Sequence, residues 1–240
     1  MKYLMTGIDQ QLDKGFGINA FAFNRAADQL YNSKEYNDSF NPQKHMPVFY
    51  LYRHTIELYF KSMIFLIHLE LAIPYGKDSK KPQLHTEDGK WRDLDNCHWI
   101  DALYWYWAKL ILDYSEKLNV VASKGDWRVH PDLKNMIDMI AKYDRDSTYF
   151  RYPFTKNNQK GQDEEKYSMK KVDDIQELIN KTDSKKGSIT LIIKDQDDNI
   201  KSIYAHEENV LSELMDVFKE TAEILSGYHS MTRMTLSDGF

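Results

Sequence analysis

Residues 48–71, VFYLYRHTIELYFKSMIFLIHLEL, restrict the chain to a narrow set of folds. The run is apolar nearly all round, so a helix built from it must be surrounded, either by lipid or by other helices. It also carries Arg53, His54, Glu57 and Lys61. Each charge near a bilayer centre costs a few kcal/mol, which disfavours a membrane span and favours the middle of a soluble bundle. Pro47 stands where a helix tolerates the missing N–H, and Pro74 with Gly76 are stop signals. The N-terminal MKYLMTGIDQQ has one lysine and then a three-residue apolar run, too short for a secretory signal. No membrane association is expected.

Other segments supply partners for that helix. Residues 18–33 place Phe23, Ala27, Leu30 and Tyr31 at helical spacing. After a polar stretch over about 76–96, helix is expected to resume near His98 and to run through WIDALYWYWAKLILDYSEKL until Gly125 breaks it. Pro131 opens a further helix with Leu133, Met136, Ile137, Ile140 and Ala141 in one stripe. A lysine-rich stretch from about 144 to 186 contains a short helix around 171–181. Two β-prone runs around Asp-Gln-Asp-Asp-Asn then read as a hairpin. The last helix, about 207–228, repeats Val210, Leu211, Leu214, Val217, Phe218, Ile224 and Leu225 before Gly227. The expectation is an all-α antiparallel helical bundle in one domain over 1–240. Its core helices lie at about 18–143 and 207–228, and an insertion with a β-hairpin at about 155–206 precedes the last helix.

The net charge of −5 excludes a chain coated with positive charge, though it leaves room for a local basic groove. Cys97 is the single cysteine, which rules out an internal disulfide and a Cys-rich zinc site and fits a reducing, cytoplasmic setting. No phosphate-cradling glycine loop, dinucleotide fingerprint, HExxH or GxSxG is present, and the eight histidines lack metal-ligand spacing. No metal and no cofactor is expected.

Three constellations carry chemistry. Arg53, Glu57 and Lys61 fall at i, i+4 and i+8 on one helix face, with His54 beside them. They fit an ion-pair ladder on a solvent stripe, and equally a half-buried set that is paired or lines a cavity. His98 and Asp101, at i and i+3, fit a carboxylate orienting an imidazole, and equally a first-turn acid favoured by the helix dipole. The third is DRDSTYFRYPF, residues 144–154. Asp144 and Asp146 can accept from Arg145 or Arg151, Ser147 can bond the turning backbone, and Tyr152-Pro153 holds the segment extended. Only seven of the 32 basic residues are arginines, and a guanidinium supplies a planar fork for a carboxylate or a phosphate. A pinned strap and a ligand site both fit. The aromatics Trp99, Tyr104, Trp105, Tyr106 and Trp107 fit core packing and also base stacking.

Taken in order, LYRHTIELYFKSMI, HWIDALYWYW and DRDSTYFRYPF resemble members of the HEPN superfamily, small helical bundles of prokaryotic toxin–antitoxin and anti-phage systems. The resemblance covers about 45–155 and, by architecture, the final helix. It implies a HEPN-like bundle and a metal-independent endoribonuclease with an Arg-x(4–6)-His motif, which here is met by Arg92 and His98. Arg53, His54, Glu57, Lys61, Asp101, Asp144, Arg145, Asp146, Ser147 and Arg151 would line its cleft. It further implies a homodimer in which two motifs meet, RNA or a nucleotide as ligand, and a nucleotidyltransferase-type antitoxin as partner. The alternative it leaves is a non-catalytic HEPN-like module that binds a nucleotide or partner protein through the same polar cleft.

Overall fold

The computed structural model describes residues 2–38, 41, 43–76, 82–153, 160–172, 189–207 and 210–240. Its centre is α3, Met46–Glu70, with Pro47 in the first turn. Nearly every side of this helix is covered. Phe49, Tyr52, Ile56, Phe60, Met63, Ile64 and Ile67 are all buried, as all-round hydrophobicity demands. Three helices pack on it: α1 (Phe16–Tyr31), α4 (Ile100–Asp113) and the C-terminal helix α8 (Ser212–Leu236). The amphipathic α6 (Leu133–Asp144) buries Leu133, Ile137 and Ile140 and closes the group by packing on α4 and α8. Removing the side chain of Ile137, which is fully enclosed, is a loss of about 2–5 kcal/mol. Shorter helices complete the set: α2 (Lys34–Asp38), α5 (Ser115–Val121) and α7 (Lys160–Glu165). One apolar cluster draws on residues from Ala20 to Leu236.

The chain is mainly helical but not all-α, because two small antiparallel sheets accompany the helices. The first, β1 (Gln83–His85) with β2 (Trp91–Asp93), lies in the stretch read as polar loop. Asp88-Gly89 turns it, with Gly89 at φ +79°, a conformation open to glycine. The second has the order β3 (Met169–Val172), β5 (Ile200–His206), β4 (Thr190–Lys194). Its β4–β5 pair is the expected hairpin, and β3 adds a third strand. Of the short helix expected at 171–181, Lys171 and Val172 belong to β3, and the remainder lies outside the described residues.

Several helix ends also differ from expectation. Helix begins at Ile100 rather than His98, and Tyr114 separates α4 from α5 well before Gly125. Gly227 does not end α8, which continues to Leu236. A helical glycine costs only about 1 kcal/mol, and the packing of Leu225, His229, Thr232, Arg233 and Leu236 outweighs it.

Candidate functional site

The polar face of α3 is sealed inside the protein. Arg53 is 0% exposed and spends its guanidinium on three separate segments. Nε donates to the Asp144 carbonyl at 2.9 Å, and Nη2 donates to the carbonyls of His98 at 2.6 Å and Arg145 at 3.0 Å. Nη1 reaches Glu57 Oε2 at 3.3 Å. Asp144 and Arg145 stand at the C-terminal end of α6, where carbonyls lack helical partners and a cation is favoured. The planar fork therefore ties α3 to the end of α6 and to the approach to α4. The Ile100 N–H, donating to the Arg145 carbonyl at 3.1 Å, closes the same junction.

Glu57 sits one turn further along. Its Oε1 accepts from Lys61 Nζ at 2.9 Å, and Lys61, also buried, donates to the Asp95 carbonyl at 3.0 Å. The same Oε1 lies 2.9 Å from His98 Nδ1. An ionised carboxylate only accepts, so Nδ1 carries the hydrogen and Nε2 is the nitrogen left for other work. Burial alone raises the Glu57 carboxyl. The His98 hydrogen bond and the charges of Lys61 and Arg53 more than offset this and hold it at about 2. Glu57 is 1% exposed and His98 is 45% exposed, so the cluster reaches the surface through that imidazole.

Around His98 is an open hollow of about 570 Å³, lined by Trp91, Arg92, Asn96, Cys97, Trp99 and Asp146. Arg92, on β2, lies 4.2 Å over the Trp99 ring, and its Nε is buried without a hydrogen-bond partner. Arg145 lies 4.9 Å over the same ring, and its Nε donates to both Asp101 oxygens at 3.0 and 2.8 Å. The Arg145 pairing with Asp101 replaces the expected pairing with its sequence neighbours. The Asp144 carboxylate instead accepts from the Tyr149 N–H at 2.8 Å, and burial raises its pKa. Asp146 accepts from Thr148 Oγ1 at 2.6 Å. Ser147, at φ +63°, accepts from Arg151 Nη2 at 3.4 Å.

Arg151 and His54 belong to another neighbourhood. Arg151 is exposed and lies 5.4 Å from the Tyr50 ring, on which His54 also stacks at 6.0 Å. His54 also meets Phe23 edge-on at 4.7 Å, and burial pushes its pKa down. The residues that gather are thus Arg53, Glu57, Lys61, Arg92, His98, Asp101, Arg145 and Asp146. Trp99, which both guanidiniums cover, was not singled out as a site residue, although its place directly after His98 was a usable signal.

A second buried cluster had no signature in the sequence. Asp13 accepts from Gly17 N–H at 2.7 Å and from Ser62 Oγ and forms an ion pair with Arg233 Nη2, while His229 Nε2 lies 3.0 Å from Ser62 Oγ. Asp13, Ser62, His229 and Arg233 are all essentially inaccessible. Burial lowers the His229 pKa, and the Arg233 charge adds to this. Burial opposes ionisation of Asp13, but Arg233 and the hydrogen bonds bring its pKa below the ordinary range.

Among the described residues, no group of three or more His, Cys, Asp or Glu side chains is placed to hold a metal ion, and no helix is long and apolar enough to cross a membrane. Comparison with protein-family models, with curated proteins and with solved structures finds no match for the chain.

Proposed function

We propose that the chain is a HEPN-like antiparallel bundle that cuts RNA by acid–base catalysis, as the effector of a prokaryotic defence or toxin–antitoxin system. The observation that carries this reading is the Glu57–His98 contact of 2.9 Å beside Arg92. A buried carboxylate fixes the tautomer and ring orientation of a surface histidine, which leaves Nε2 to accept a proton. In this reading Nε2 takes the ribose 2′-OH proton as the 2′ oxygen attacks the neighbouring phosphorus. The bond to the 5′ oxygen breaks, and a 2′,3′-cyclic phosphate forms. Arg92 stabilises the charge that develops on the phosphoryl oxygens. Glu57 stabilises the imidazolium, and a second copy of the chain supplies the histidine that returns a proton to the leaving oxygen. The homodimer and a nucleotidyltransferase-type antitoxin follow from the family resemblance of residues 45–155, and the cytoplasmic setting from the single cysteine, Cys97.

The test is purified protein with total RNA in EDTA, wild type beside His98→Ala. A loss of cleavage of about 100-fold or more is expected, at the lower end of what a positioned general base supplies. Equal cleavage by both proteins, or none by either, contradicts the assignment.

One observation favours the non-catalytic alternative, a module that binds a nucleotide or partner protein. Arg53, Glu57 and Lys61 spend their hydrogen bonds inside the protein, so they act as framework and not as ligand contacts. The alternative gains if the wild-type protein leaves RNA intact while binding a nucleotide, and Arg92→Ala abolishes that binding.

A further inference from the structure

Trp99 separates two hollows. On the side away from His98 lies one of about 480 Å³, walled by Trp99, Tyr104 and Trp105 with Glu87, Asp101 and Arg145 around them. These three rings are half-buried, whereas Tyr106 and Trp107 of the same run are packed in the core. The aromatic run therefore does two jobs, and its partly open half forms one wall. A hollow of this size lies within the range that holds small ligands, and flat rings on its wall suit a flat guest.

The charges sort the guest further. Asp101 is engaged by Arg145 at 2.8 Å, Asp138 by Lys134 at 2.5 Å, and Asp88 by Lys90 at 3.2 Å. Glu87, at the tip of the β1–β2 hairpin, has no ion pair or side-chain hydrogen bond among the described residues. The lining thus offers one uncommitted carboxylate, which only accepts hydrogen bonds. Four carboxylates against Lys134 and Arg145 disfavour a phosphate here and favour a flat ring rich in donors. Guanine presents two adjacent donors, N1–H and N2–H, which match the two oxygens of one carboxylate. Adenine places an acceptor at N1, and uracil has a single donor between two acceptors.

We propose that this hollow takes a guanine base beside the phosphate that Arg92 and His98 act on, which rests on the RNA-cutting reading above. Glu87 reads the donor edge. Trp105 and Tyr104 supply the stacking face, since guanidiniums already lie over Trp99.

The experiment titrates guanosine 3′-monophosphate and adenosine 3′-monophosphate into the full chain by calorimetry, using wild type, Glu87→Gln and Trp105→Ala. Wild type is expected to bind the guanosine nucleotide about tenfold tighter or more, within what one bidentate base contact supplies. Glu87→Gln is expected to bring the two nucleotides within about twofold of each other, and Trp105→Ala to weaken both. Equal binding of the two by wild type, binding of neither, or a preference that survives Glu87→Gln overturns the proposal. Glu87 is exposed on a turn, so the fold does not depend on it. Cleavage that needs His98 but shows no base preference sinks the guanine hollow alone. Glu87-dependent guanosine binding without His98-dependent cleavage sinks the catalytic reading alone.

Discussion

Two charged clusters are built against α3, one at Arg53–Glu57–Lys61 and the other at Ser62. Both bury a carboxylate beside an arginine, and both include a histidine. In the second, His229 is as inaccessible as Asp13 and Arg233, so its atoms serve the joint between the N-terminal turn and α8. In the first, the arginine and lysine are sealed but the histidine is 45% exposed. The contrast separates framework from chemistry, since a sealed set can only hold segments together while the open set presents one oriented imidazole to solvent.

Breaking either framework is the largest expected effect. Arg53→Met leaves Glu57 Oε2 and the buried carbonyls of His98, Asp144 and Arg145 without their donor, and Arg233→Met removes the buried charge paired with Asp13. Each is expected to lose about 3–5 kcal/mol, or roughly 10 °C in melting temperature for a chain of this size. His98→Ala, which removes only the exposed member, is expected to melt within a few degrees of wild type.

Acid separates the clusters next. The Glu57 pKa falls from 4.5 unfolded to about 2 folded, so its stabilisation is present above pH 4.5 and is lost as pH falls towards 2. The amount is on the order of 3 kcal/mol. The His229 pKa is depressed from 6.5, as are those of His45, His54 and His68, so folding holds these rings neutral. Their contribution is complete above pH 6.5 and declines as pH falls below it. Melting temperature against pH is expected to keep its slope between 6.5 and 4.5 in Glu57→Gln and to lose part of the slope below 4.5.

A glycine pair gives the smallest and sharpest contrast. A Cβ on Gly17 would stand 2.4 Å from His229 Nε2 and 2.8 Å from Arg233 Nη2, inside the sealed cluster. Gly17→Ala is therefore expected to destabilise by about 1–3 kcal/mol despite alanine's better helix propensity. At Gly227 a Cβ would meet nothing within 4 Å, so Gly227→Ala is expected to gain about 1 kcal/mol. Paired denaturant titrations check both signs.

What was legible in the sequence follows from range. The α3 run, the α6 stripe and the β4–β5 hairpin rest on periodicity and turn residues, and they appear where local pattern put them. Glu57 and Lys61 share a face by spacing alone, but that this face is buried depends on segments 34 to 92 residues away. The sealed cluster joins Asp13 to Arg233 across nearly the whole chain, and no local pattern announces it. The exchange of Arg145 from Asp144 or Asp146 to Asp101 has the same cause, because the α4–α6 junction and not sequence distance brings the partners together. The Asp88-Gly89 turn was readable and passed over inside a polar stretch.

The open cluster rests on the hydrogen that His98 Nδ1 gives to Glu57. Nitrogen-15 NMR of the imidazole measures that tautomer directly, with the ring neutral. Wild type is expected to show Nδ1 protonated and Nε2 bare, and Glu57→Gln to show mixed tautomers. A neutral His98 ring protonated at Nε2 in the wild-type protein would contradict the account.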